Sequence, residues 1–212
     1  LGEENDPLRR EYTQAYHACV SFVDAQIGLI LDKLKEQKLW DDTIVIFTSD
    51  HGYHLGEHFM WGKVTLFEEC ARIPLIVRVP GVSQAGSSSE GLVETIDLFP
   101  TLATLCDLAA PVYLQGQSYA GLIRKPDGLG KPSAYTVVSR GTQLGRSIRT
   151  KRWRYAEWGE AGAAELYDLE KDPREYTNLV KSPKHAVVVN RMKDALAKRR
   201  RQAEFARNLT GK

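Results

Sequence analysis

From Pro7 to Lys38 the apolar positions Tyr12, Tyr16, Cys19, Val20, Val23, Ile27, Ile30, Leu31 and Leu34 step by threes and fours. That is the period of one face of an α-helix, so residues 7–38 are expected to form a single long amphipathic helix. Asp6-Pro7 provides its start, with a carboxylate as N-cap and a proline at the first helical position. Asp41-Asp42 makes the turn out of it. The following run, TIVIFT from Thr43 to Thr48, is continuously apolar and β-branched. Such a run suits a central parallel strand covered on both faces better than an edge strand with one wet side. A second strand is expected over Ile73 to Val79, closed by Pro80-Gly81, and SQAGSSSEG reads as a flexible loop. Asp97 is expected to cap a short helix through Cys106, with Pro100 early enough in it to be tolerated.

The texture changes near Tyr135. The short pieces TVVSR, RSIRT, KRWRYAEW and AELYDL, separated by glycine and charge, predict a small antiparallel sheet. Residues 184–206 have helical composition and a strongly basic polar face, which reads as a solvated terminal helix rather than a nucleic-acid element. The class is therefore α/β, with residues 1–134 as a core domain and 135–212 as a small antiparallel-sheet subdomain ending in a helix. No internal repeat is present.

Composition narrows the function without naming it. The chain has 212 residues, 42% of them hydrophobic, enough for a sizeable core. Its 29 basic and 27 acidic residues leave a formal charge of +2, which gives no general reason to expect nucleic acid or a membrane surface as partner. No run approaches the roughly 18 apolar residues of a membrane span, and LGEENDPLRR lacks the pattern of a signal peptide. Neither anchor nor export signal is therefore expected in the chain itself. Cys19, Cys70 and Cys106 form no CxxC pair and are expected to be buried small apolar residues. Asn208-Leu209-Thr210 is a sequon of little weight.

The chemistry concentrates in TSDHGYHLGEHFMWGK, residues 48–63, directly after the first strand. Functional groups of α/β sheets collect beyond the carboxyl ends of strands. Asp50 and His51, brought round by Gly52, are candidates to hold a divalent cation; the bland reading is an aspartate that caps a turn. His54 and His58 are four apart, the spacing of zinc-binding histidines on a helix, but Gly52 and Gly56 favour a loop that the histidines hold by hydrogen bonding. Lys63 is either a surface lysine or the ammonium that an anionic ester beside a metal requires.

The order FVDAQIG, TIVIFTSDHGYHLGEH, WGK, RIPLIVRVPG, ETIDLFPTLATLCDL, RSIRTKRWRYAEW and ELYDLEKDPREYTNL resembles the C-terminal half of a type I sulfatase of the alkaline phosphatase superfamily. The likeness is to the iduronate-2-sulfatase and choline-sulfatase type and covers nearly the whole chain. It implies part of an alkaline-phosphatase-like parallel or mixed sheet flanked by helices. It also implies that Asp50 and His51 are metal ligands, with His51 and Lys63 catalytic and Lys63 on the sulfate, and it leaves His54 and His58 as candidates for shaping the substrate pocket or for a proton transfer. The expected cation is calcium, with magnesium or manganese as alternatives and zinc left open by the imidazole. Arg140, Arg146 and the run Lys151 to Tyr155 are placed either against an anionic sugar or on the sheet surface.

The family's nucleophile is a formylglycine made from cysteine or serine in a C-x-P-S-R type motif. The cysteine contexts here are CVSFV, CARIP and CDLAA, and the family's paired metal-binding aspartates have no counterpart either. Asp41-Asp42 is no substitute, because it sits at the start of the strand whose far end carries Asp50. The chain is thus expected to be a fragment of a sulfuric-ester hydrolase, inactive alone. Alternatives are a phosphonate or phosphate ester hydrolase fragment and a non-catalytic binding or assembly module. Expected partners are a sulfate ester, more narrowly a sulfated sugar, and either a second copy or an N-terminal chain. Relatives of this type place it in the periplasm, outside the cell or in lysosomes.

Overall fold

The computed structural model describes residues 6–159 and 163–210, the last six of these by their backbone only. Two compact units are present: one holds the chain up to Lys63 together with Arg72–Ser83, the other Val64–Ala71 together with the chain from Gln84 onward. Residues 84–134 thus group with the C-terminal sheet.

In the first unit, helix α1 runs from Pro7 to Glu36. The Asp6 carboxylate accepts from the Leu8 amide at 2.9 Å, so one of the free N–H groups of the first turn is satisfied as expected. The helix ends slightly before Lys38, which adopts a left-handed φ of 58°. None of its residues is buried within this chain, and Val20, Phe22, Val23, Leu29 and Ile30 all stand exposed.

Strand β1 (Val45–Thr48) is followed in chain order by the two-residue strands β2 (His54–Leu55) and β3 (Trp61–Gly62), the short helix α2 (Glu68–Ala71), which belongs to the second unit, and strand β4 (Leu75–Arg78). β1 and β4 pair antiparallel, with Phe47 opposite Ile76. The expectation that these two strands run parallel is not met. A continuous apolar run signals burial on two faces and carries no information on the direction of its neighbour. Arg78 fixes the entry to β1: its guanidinium lies 4.1 Å from the Trp40 ring centroid and donates to the Trp40 carbonyl at 2.6 Å.

In the second unit, α3 (Leu98–Leu105) and α4 (Ala120–Arg124) precede a four-stranded antiparallel sheet in the order β5 (Ala134–Arg140), β6 (Gln143–Arg149), β7 (Trp153–Trp158), β8 (Ala163–Asp168), followed by helix α5 (Ala186–Thr210). The sheet and terminal helix are as the short strand-like pieces and the helical composition of residues 184–206 predicted. Ile148, Trp153, Tyr155 and Leu166 on the sheet close against Met192 and Leu196 of α5 to form the core, the main source of hydrophobic stabilisation in this unit. The sequon lies at the end of α5, where side chains are outside the described residues.

Two sequence expectations are corrected here. Asp97 does not cap α3 with its side chain. It is buried, and its carboxylate accepts from the Glu94 amide at 2.8 Å, the Gln117 amide at 2.7 Å and the Lys131 ammonium at 2.6 Å. The Glu94 contact is a local capping box around the turn Thr95–Asp97 that leads into α3, whereas Gln117 and Lys131 hold that turn to a distant segment, which local sequence could not announce. Of the cysteines only Cys70 is buried; Cys19 and Cys106 are exposed. Among the described residues no helix is long and apolar enough to cross a membrane.

Candidate active-site loop

The loop from Ser49 to Lys63 leaves the carboxyl end of β1. Ser49 Oγ donates to the His51 carbonyl at 2.7 Å, a tight turn that brings the Asp50 and His51 side chains to one side. His51 Nδ1 lies 2.8 Å from the Gly52 carbonyl. A carbonyl only accepts, so Nδ1 carries the proton and, in the neutral ring, Nε2 carries the lone pair. Nε2 in turn lies 3.2 Å from Asp50 Oδ2.

A lone pair and a carboxylate oxygen at that distance repel unless a positive charge sits between or beside them. A cation shared by the two atoms would supply that charge. The orientation of a ligating histidine through its other ring nitrogen and a backbone carbonyl is common at metal centres. A 3.2 Å spacing also suits two donors on one ion with bonds of about 2.3–2.6 Å. Burial tends to raise the Asp50 carboxyl, but hydrogen bonds from the His51 and Asp50 amides, with the charge of Lys63 nearby, outweigh it and hold the group below its usual value. Asp50 is therefore an anion at neutral pH, with its side chain 83% exposed and that of His51 35% exposed.

The two donors fit part of a hard-cation shell and do not complete one. Calcium takes about 6–8 oxygen ligands, and among the described residues no group of three or more His, Cys, Asp or Glu is placed to hold a metal.

Lys63 follows β3 and is exposed, close enough to Asp50 for its charge to act on that carboxyl. His54 and His58 share no helix, His58 lying in the 3-10 turn Glu57–Phe59, so the zinc-helix alternative is not met. His54 is in β2, opposite Gly62 of β3, and is fully buried. His58 sits in a turn with φ 53°, and the rings meet edge to face at 5.9 Å. Gly56 makes the hairpin feasible: its φ is +111°, and a Cβ there would stand 2.7 Å from the Arg9 guanidinium.

Sequence reasoning missed the seat of this loop. Tyr12 and Tyr16, one turn apart on α1, pack against it: Tyr12 meets Trp61 edge to face at 4.8 Å, and Tyr16 lies 5.4 Å from Tyr53. Their spacing marked them as helix-face residues, but nothing local named the partner. The aromatic-basic run Lys151 to Tyr155 is also placed differently from a sugar-contacting surface. Trp153 and Tyr155 are core residues, and Arg154 is 2% exposed in an ion cluster with Glu68 and Glu175. Arg140 is exposed and Arg146 half-buried.

Comparison with known proteins agrees with this architecture. The sulfatase family model matches residues 2–108, and the family described as N-sulphoglucosamine sulphohydrolase, C-terminal, matches residues 56–202. Iduronate 2-sulfatase of Mus musculus is 28% identical, the match covering 89% of this chain and 47% of that protein. A protein solved in complex with its substrate D-glucosamine-2-N,6-O-disulfate superposes with a TM-score of 0.88 at 28% identity, over 92% of this chain and 42% of that one. The phosphonate monoester hydrolase of Agrobacterium radiobacter superposes with a TM-score of 0.78 at 30% identity, over 86% and 40%. The chain spans less than half the length of these relatives. The ordered motifs, the fold and the two family matches together show that this chain belongs to the sulfatase family, as a type I sulfatase of the alkaline phosphatase superfamily.

Proposed function

We propose that this chain is the C-terminal part of a sulfuric-ester hydrolase and supplies Asp50, His51 and Lys63 to its active site. The observation that carries this reading is the Asp50–His51 pair at 3.2 Å, with the imidazole oriented by the Gly52 carbonyl. Asp50 and His51 would hold a divalent cation, calcium in the first place, with magnesium or manganese as alternatives. When bound, such an ion supplies Lewis acidity toward a sulfate oxygen.

The chain's own residues do the rest of their work by charge and position. Asp50 stays ionised because backbone amides and neighbouring cations stabilise its anion. The Nδ1 contact fixes the plane of His51, so its lone pair needs no reorganisation. Lys63 offers an ammonium to the non-bridging oxygens of the ester as negative charge builds up on them. His54 and His58 shape the hairpin that presents Lys63, and His54, being fully buried, acts through packing.

None of Cys19, Cys70 and Cys106 lies in a formylglycine motif, so we read the chain alone as inactive. The substrate class is a sulfate ester, more narrowly a sulfated sugar, in line with the relatives' names, and the setting is the periplasm, the cell exterior or the lysosome. Hydrolysis of p-nitrophenyl sulfate with calcium is the test. The gene product including its upstream sequence is expected to turn over, and its Lys63→Ala variant to lose on the order of 10²-fold or more in kcat. Turnover by the 212-residue chain alone would overturn the reading of inactivity.

The likeness to a phosphonate monoester hydrolase supports a second reading, in which the same groups serve a phosphonate or phosphate ester. Faster hydrolysis of a phenyl phosphonate monoester than of the sulfate by the longer product would favour it.

The exposed apolar face of α1, with Phe47, Leu75 and Ile76 on β1 and β4, also needs cover. We propose that an N-terminal sulfatase segment covers it, and that copies of this chain self-associate without one.

A further inference from the structure

Val64, the residue bonded to Lys63, has a φ of 72°. A β-branched residue is strained in that region, and such a conformation persists only where neighbouring contacts over-determine it. Gly62, on the other side of Lys63, has a φ of 102°, which glycine adopts at little cost. Lys63 is thus carried between two left-handed residues, and the course of its backbone depends on what holds the chain after Val64.

Two charged side chains hold it, Arg154 of β7 and Glu175, both almost fully buried. Arg154 Nη1 donates to the Leu66 carbonyl at 2.6 Å, and Nη2 contacts the Glu68 carboxylate. Glu175 Oε2 accepts from the Glu68 amide at 2.7 Å, while Oε1 lies 2.6 Å from Arg154 Nε. One buried ion pair therefore grips a carbonyl and an amide of the segment that follows Val64. Its base is firm. The Glu175 amide donates to the Asp172 carbonyl at 3.1 Å and the Thr177 amide to the Asp172 carboxylate at 2.7 Å, and Arg154 is fixed in the ladder between β6 and β8. Phe67 adds an edge-to-face contact with Tyr167 at 5.8 Å.

A buried ion pair is weak evidence for stability, because desolvation of both charges offsets their attraction. Charge-assisted hydrogen bonds are, however, short and specific in geometry, and these fall on backbone groups two and four residues beyond the strained one. We propose that Arg154 and Glu175 are positioning residues: by clamping Leu66 and Glu68 they fix the turn at Val64, and with it the place from which Lys63 reaches the ester. The role of Lys63 rests on the ester-hydrolase reading; the clamp does not.

Amide hydrogen exchange of the 212-residue chain tests the clamp without any activity. Glu175→Ala is expected to speed exchange over residues 63–71 by about tenfold or more while β5 to β8 stay within about threefold. Glu175→Gln, which keeps an acceptor for the Glu68 amide, is expected to exchange as the unaltered chain does. If Glu175→Ala does not fold, Arg154→Met/Glu175→Leu, which leaves no lone buried charge, takes its place. Unchanged exchange over 63–71, or an equal rise in β5 to β8, would overturn the proposal.

A double-mutant cycle on kcat for p-nitrophenyl sulfate, in the product that includes the upstream sequence, tests the positioning. Glu175→Ala is expected to lower kcat by about tenfold, but by less than about twofold in a Lys63→Ala background. A merely structural role would give equal losses in both backgrounds, and that result, or no loss in either, would overturn the positioning role. No turnover by the unaltered product, or no loss on Lys63→Ala, would contradict the ester-hydrolase reading and take the positioning role with it, while the exchange result on the clamp would stand.

Discussion

The hydroxyls of Tyr12 and Tyr53 lie 2.7 Å apart, joining the first turns of α1 to the loop that carries Asp50 and His51. The bond raises the Tyr53 phenol above its ordinary value, chiefly because Tyr12 shares a hydrogen with its neutral form. A double-mutant cycle with Tyr12→Phe and Tyr53→Phe measures it. Each single change is expected to lower unfolding stability, with the double variant little worse than either. Additive losses would mean that the two hydroxyls act independently.

Glu175 gives a pH dependence. Burial pushes its carboxyl up to about 7, against the pull of the Arg154 cation. Burial also raises Glu165. A folded-state value above the unfolded one means that the folded chain holds the extra proton. The stabilisation is therefore complete below the unfolded value near 4.5 and is lost as the pH rises through 7. The urea midpoint is expected to fall between pH 5 and pH 8, and Glu175→Gln, which cannot ionise, to flatten that slope. An unchanged slope in the variant would show that other groups set it.

The apolar residues left open on α1 and the β1–β4 pair predict concentration-dependent association of the purified chain in light scattering. Co-expression with the upstream sequence should suppress it. A sharp monomer at all concentrations would show that these faces tolerate water.

Much of this was legible in the residues themselves. Asp6-Pro7 fixed the start of α1 because capping is a local matter, and TVVSR, RSIRT, KRWRYAEW and AELYDL announced an antiparallel sheet because they are short strand-like pieces separated by glycine and charge. What failed was what depends on partners distant in sequence. The apolar run of β1 specified burial but not the direction of β4. Asp97 was expected to cap α3, yet it caps the turn Thr95–Asp97 just before it with one oxygen, and Gln117 and Lys131 claim the other. Tyr12 and Tyr53 are 41 residues apart, and no spacing rule joins them. In the site loop the glycines correctly argued against a zinc helix, since Gly56 needs a φ that other residues avoid.

The central claim is that Asp50 and His51 share one cation. A pair of ligands binds weakly, so the method must tolerate low affinity. Paramagnetic broadening of the histidine ring signals by Mn²⁺ does so and compares His51 directly with His17, His54, His58 and His185. His51 is expected to broaden first, to recover when excess Ca²⁺ is added, and to lose the effect in Asp50→Asn. Broadening that starts at another histidine, or that persists at His51 in Asp50→Asn, would contradict the shared site.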